Sequence, residues 1–166
     1  MNKPIRMTRA VLMAVAVVFC FTGVAVAEAP QKIDACTLLT KDEIQAAVGQ
    51  NVSDGKLNAK ANPDVGAPCD YVIGDYGAFS ILVKAATFSE TADKMMAELK
   101  KMKIAVSDAP GIGDRSFFSS PGYRMLQLNT FKGSKYLIIT MLVPGATEAA
   151  QKTAAEKLML TALTKI

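Results

Sequence analysis

Histidine does not occur in this chain of 166 residues. Its absence removes the Ser-His-Asp and Cys-His arrangements, the histidine zinc sites and the usual proton shuttle at neutral pH. Three cysteines stand at positions 20, 36 and 69, and none of their spacings is the short C-x-x-C of a redox pair. What remains for catalysis is carboxylate pairs or Ser/Lys dyads, and no spacing singles one out. No catalytic residue and no cofactor is therefore assigned. The most distinctive loop is Gly111-Ile112-Gly113-Asp114-Arg115. Its glycines could expose backbone N–H groups to an anion, and Asp114 and Arg115 could orient a polar ligand. A phosphate loop needs a helix straight after the glycines, whereas Ser116-Phe117-Phe118 reads as strand. A tight turn with an Asp–Arg pair at a strand entrance accounts for the same residues. Asp114 and Arg115, with Tyr123 at the next turn, are the candidate ligand-binding residues.

Two metal readings are weaker than their alternatives. Asp34, Asp54, Asp64, Asp70 and Asp75 gather around the two later cysteines but lack the alternating ligands of an EF-hand loop, and turn formation explains Asp beside Gly and Pro. Thioethers select Cu(I) in exported proteins. Here Met95, Met96, Met102, Met125, Met141 and Met159 fall on helical stripes or strands rather than in a Met-x-Met cluster, as core packing requires. No metal is assigned.

The compartment is legible at the N-terminus. Basic Lys3, Arg6 and Arg9 precede an apolar run from Ala10 to Phe21 and the small-residue site Ala25-Val26-Ala27, the three parts of a secretory signal. Residues 1–27 read as that signal, cleaved between Ala27 and Glu28. The run is 12 residues long, short of the ~20 a spanning helix needs, so no membrane span is expected after processing. Lipid attachment at Cys20 is disfavoured by Phe19, which stands where lipoproteins carry a small residue. The leader carries three of the 19 basic residues and no acid, leaving 16 basic against 15 acidic residues, a formal +1. That balance offers no electrostatic footprint for nucleic acid. Cys36 and Cys69 remain, and an oxidising compartment would pair them, contributing roughly 3.8 kcal/mol on the chain-entropy account.

Residues 28–166 suit a single domain. Thr40 with Glu43 forms a capping box, Leu39 and Ile44 occupy staple positions, and Gly49 supplies the stop, predicting a helix over 41–48. A short strand near 52–57 leads into loop. Residues 69–74 and 78–86 read as a hairpin, with Phe79, Ile81, Val83 and Ala85 alternating. Ser89 caps an expected helix of about 90–102 that buries Ala92, Met95, Met96, Leu99 and Met102, with lysines at its C-terminal end to suit the dipole. Extended segments follow near 115–119, 123–131 and 135–143, joined by a type II turn at Ser120-Pro121-Gly122-Tyr123 and a reversal at Lys132-Gly133-Ser134. Thr147 caps a last helix, from Glu148 to about Lys165, that buries Ala150, Ala154, Leu158 and Ala162. The class is α+β: an antiparallel sheet with helices packed on one face. A weak internal echo suggests two α-β-β-β units plus a C-terminal helix, at an identity too low to establish a repeat.

Three stretches stand in order along the chain: Asp34-Ala35-Cys36-Thr37-Leu38-Leu39-Thr40-Lys41-Asp42-Glu43, then Cys69-Asp70-Tyr71, then Gly111-Ile112-Gly113-Asp114-Arg115-Ser116-Phe117. Together they resemble a broad group of uncharacterised exported bacterial proteins and lipoproteins. The resemblance spans nearly the whole mature chain and implies a disulfide between Cys36 and Cys69. It departs from the lipoprotein members in lacking a suitable lipidation cysteine, and it transfers no catalytic residues. The resulting expectation is a secreted or periplasmic, non-enzymatic protein that binds an envelope protein or a small ligand. A carboxylate-dependent hydrolase or lyase using Asp114 and Arg115, and an inhibitor of an exported enzyme, are the alternatives.

Overall fold

The computed structural model describes residues 33–60, 66–87 and 91–166. The expected leader, its cleavage point at Ala27 and Glu28, Asp64 and Ser89 lie outside the described residues.

A short 3-10 helix, Ala35–Thr37, opens the described chain, with the Asp34 carboxylate accepting the Cys36 N–H at 2.9 Å. Helix α1, Lys41–Val48, has the expected bounds, because its ends are decided by local chemistry. Thr40 Oγ1 accepts the Glu43 N–H, the Glu43 carboxylate accepts the Thr40 N–H at 2.7 Å, and Gly49 closes the helix in the left-handed region. Strands β1 (Lys56–Leu57), β2 (Cys69–Ile73) and β3 (Gly77–Ala85) follow, then α2 (Ala92–Lys101). Strands β4 (Ala105–Asp108), β5 (Arg115–Gly122), β6 (Met125–Lys132) and β7 (Lys135–Leu142) precede α3 (Glu148–Leu163). All seven strands form one antiparallel sheet in the order β1-β2-β3-β7-β6-β5-β4. The last strand thus returns to the centre and zips both halves together along β3 and β7.

The α+β class, the antiparallel sheet and the C-terminal helix are as expected. The disposition of helices is finer than the expectation of one covered face. Phe117 and Phe118 are consecutive in β5 and so point to opposite faces. Phe118 belongs to the main core with Leu128, Ile139, Leu158 and Ala155, beneath α1 and α3. Phe117 belongs to a second cluster with Ala92, Met96, Phe131 and Tyr136, beneath α2. Helices α1 and α3 therefore share one face, and α2 covers the other at the β4–β6 end. Under α2 the sheet also carries a polar chain: Tyr136 donates to Asn129 Oδ1 at 2.6 Å, Asn129 to Ser119, Ser119 to Gln127, and Gln127 to Thr140.

Other details correct the sequence reading. β4 has no counterpart among the expected strands, so the second unit has four strands rather than three. α2 starts two residues late, with the Thr91 hydroxyl accepting the Lys94 N–H as its cap. Its end is a Schellman motif with Lys103 left-handed, so Met102 projects into solvent instead of closing the apolar stripe. Ala85 is exposed at the end of β3. The turn expected at Pro121-Gly122 falls at Tyr123-Arg124, because β5 runs on to Gly122, which pairs with Met125. Tyr123 (φ 53) and Arg124 (φ 61) are both left-handed, the type I′ geometry that matches strand twist. Pro121 is tolerated there because β4 pairs no further than Ser120 and the ladder is already shifted by a bulge.

β2 is tied to the chain before α1 twice. Cys36 and Cys69 form a disulfide. Tyr71, half-way along β2, stacks edge-on against Phe79 and reaches the backbone just before α1.

Candidate functional site

The three candidate residues do not converge. Asp114 and Arg115 enter β5 at one end of the sheet, and Tyr123 follows its other end, roughly 25 Å away at the rise of an extended chain.

At the first end, the glycine loop is a turn that its own side chains close. Asp114 Oδ2 accepts the Gly133 N–H at 2.6 Å, and Oδ1 meets Lys132 Nζ at 3.2 Å. This clamps the β6–β7 turn, and these two donors, the N–H first, hold the Asp114 carboxyl below the usual range. Gly113 has φ 59, and a Cβ there would sit 2.6 Å from the Phe131 carbonyl oxygen, so only glycine allows this approach. Arg115 bridges α2 and β4: its guanidinium meets Asp93 at 3.2 Å and Asp108 at 2.7 Å, bonds that raise its pKa. Both candidate side chains are thus committed to intramolecular partners. Of the acidic residues around the disulfide, Asp34 caps the 3-10 helix, Asp54 faces Lys41 at 3.5 Å and Asp70 accepts from Asn58 at 2.9 Å. Among the described residues no group of three Cys, Asp or Glu side chains converges as metal ligands would.

At the second end several loops meet. The β2–β3 turn, the β5–β6 turn and the Val143–Thr147 link all lie there, since Ala78 pairs with Leu142 and Leu126 with Met141. Gln50, just after α1, joins them by donating to the Pro144 carbonyl at 2.7 Å. Two large aromatic side chains stand out from this rim: Tyr123 is 94% exposed and Tyr76 75%. A broad depression of about 750 Å³ lies between Gln45, Gly49, Gln50 and Gly74. A smaller cleft, of about 300 Å³, opens beside Tyr123 between the β5–β6 hairpin and the start of α3.

The smaller cleft has the richer chemistry. Arg124, Met125 and Leu126 line it from the hairpin, and Thr147, Glu148 and Gln151 from α3. The described residues contain two arginines; Arg115 is doubly paired, and Arg124 makes no ion pair within 4 Å among those residues. Thr147 caps α3 by accepting the Ala150 N–H at 3.2 Å. Glu148 faces Lys152 at 2.8 Å, which offsets its charge. Gln151 is 4% exposed, and its Oε1 accepts the Val143 N–H at 3.1 Å.

Gln151 escaped the sequence reading, which placed Ala150 in the buried stripe of α3. Ala150 is exposed, and Gln151 takes the inward position with Ala155, Leu158 and Ala162. The spacing of those residues from 151 was the available signal; a polar residue at its head hid it. Comparisons find no matching family model, no matching curated protein and no matching solved structure. Among the described residues, no helix is long and apolar enough to cross a membrane.

Proposed function

We propose that this is an exported, non-enzymatic binding protein that engages an envelope protein or a small ligand with the loop-rich rim carrying Tyr76, Tyr123 and Arg124. The observation that carries this reading is the exposure of Tyr123 at a left-handed turn position, beside a cleft and on the same rim as a second exposed tyrosine. Rigid aromatic side chains and arginine dominate the energetics of recognition surfaces, because they bury much area while losing little conformational freedom. Tight turns between paired strands hold the backbone of these residues in place, which lowers the ordering cost of binding. Export is supported by the signal-like leader, by the disulfide and by the resemblance to exported bacterial proteins.

The test is affinity capture from envelope extract, comparing the protein with its Tyr76→Ser/Tyr123→Ser variant. Both tyrosines are largely outside the core, so the variant should melt within a degree or two of the parent. Specific capture that drops at least tenfold in the variant supports the reading. Capture unaffected by the substitutions, or turnover of a substrate that survives them, would remove it.

A further inference from the structure

The geometry points to a carboxylate-binding site in the cleft between the β5–β6 hairpin and the start of α3, built from Gln151, Arg124 and the first N–H groups of α3. This rests on the binding reading above and names its ligand class. The first element is the buried carboxamide. Because Gln151 accepts the Val143 N–H, its oxygen must be the inward atom and its NH₂ group the other. That nitrogen donates to no group among the described residues. No fully buried side-chain nitrogen or oxygen there is without a partner, so Nε2 keeps some exposure, and Gln151 is part of the cleft lining. It is a donor fixed in direction by packing, without an acceptor.

The second element is the start of a 16-residue helix. The Thr147 hydroxyl takes the Ala150 N–H and the Thr147 carbonyl takes that of Gln151. The N–H groups of Glu148 and Ala149 remain without acceptors among the described residues, at the positive end of the helix dipole. Arg124 is the third element, a residue of the cleft lining whose guanidinium makes no ion pair among the described residues. The unengaged groups of Gln151, Arg124 and the helix start are donors, and the carboxylate of Glu148 in the lining is paired with Lys152, so the complement is an acceptor-only anion.

Size and shape favour carboxylate over a bulkier oxyanion with a large body. About 300 Å³ is at the low end for small-molecule sites, and Met125 and Leu126 supply an apolar wall for a short side chain. The carboxylate of a short free acid and that of a peptide C-terminus share this chemistry. Glu148, paired with Lys152, opposes multiply charged anions.

The experiment is an ¹⁵N-correlation titration of the disulfide-intact protein with N-acetyl-L-alanine, its amide, an alanine-terminated tetrapeptide and inorganic phosphate. Saturable shifts of the Gln151 side-chain NH₂ and of the Glu148 and Ala149 amides are expected with the acid or tetrapeptide and not with the amide. A response to the acid identifies a free-acid site, and a response to the tetrapeptide alone identifies a peptide terminus. Arg124→Gln should weaken binding roughly tenfold, as loss of one charge-assisted bond does. Gln151→Glu keeps the acceptor for Val143, replaces the donor with a charge, and should abolish binding while the amide spectrum stays dispersed. No shifts, equal shifts with the amide, or phosphate binding as tightly as the acid would overturn the assignment. If that happens while tyrosine-dependent capture persists, the rim reading stands without its carboxylate pocket.

Discussion

The phenol of Tyr71 donates to the Leu39 carbonyl oxygen across 2.6 Å, joining β2 to the chain just before α1 inside the core. Tyr71→Phe keeps the packing against Phe79 and leaves that carbonyl without its partner. An orphaned buried acceptor costs about 1–3 kcal/mol. Denaturant unfolding should show this as a lower midpoint with unchanged slope; an unchanged midpoint would mean that water replaces the phenol.

The disulfide closes a loop between residues 33 positions apart. Its removal as Cys36→Ala/Cys69→Ala should destabilise the fold by up to roughly 3.8 kcal/mol, much of a typical total of 5–15. Thiol titration of protein recovered from its native location should count no free thiols. Two free thiols there would contradict the export reading as well.

The two glycines of the 111–115 loop should respond differently. Gly113→Ala combines a left-handed φ with a contact at 2.6 Å to the Phe131 carbonyl, and about 3 kcal/mol or more of destabilisation is expected. Gly111 has φ 82 but open space around it, so Gly111→Ala should cost about 1–2 kcal/mol. Comparable melting temperatures for the two variants would refute this account of the loop.

Acid should destabilise the protein through two carboxylates. The Thr40 N–H first, and Lys165 with the Thr40 hydroxyl, hold Glu43 below its ordinary pKa, as Gly133 and Lys132 hold Asp114. A depressed folded pKa contributes stability above the unfolded value and loses it as pH falls through the folded one. The melting temperature should therefore decline below about pH 4.5, with a shallower decline in Glu43→Gln.

Alkali should act through Tyr71, whose pKa burial raises. Its contribution is complete below the ordinary value of about 10 and is lost as pH rises through the folded one. Tyr71→Phe should flatten the alkaline limb of the melting profile; an identical limb in the variant would assign that loss to other groups.

Features that neighbours along the chain can decide were legible in the residues alone. Helix α1 is bounded by its capping box and Gly49, and the two-residue reversal at Gly133-Ser134 by a glycine. The β2–β3 hairpin is set by alternation broken at Gly74, and the Cys36–Cys69 pair by arithmetic once Cys20 is assigned to the leader. What depends on partners distant in sequence emerged with the folded chain. β4 has one half-buried residue, Val106, and therefore no alternation to read; it is a strand because β5 offers it an edge. Tyr123-Arg124 became the turn because the β5–β6 ladder continued past Pro121. α2 took the opposite face because Phe117 and Phe131 left an apolar patch there, and Gln151 turned inward because Val143 needed an acceptor. Local signals carry capping and period, whereas register, face and the lining of a cleft are settled by long-range pairing, which no window of the chain contains.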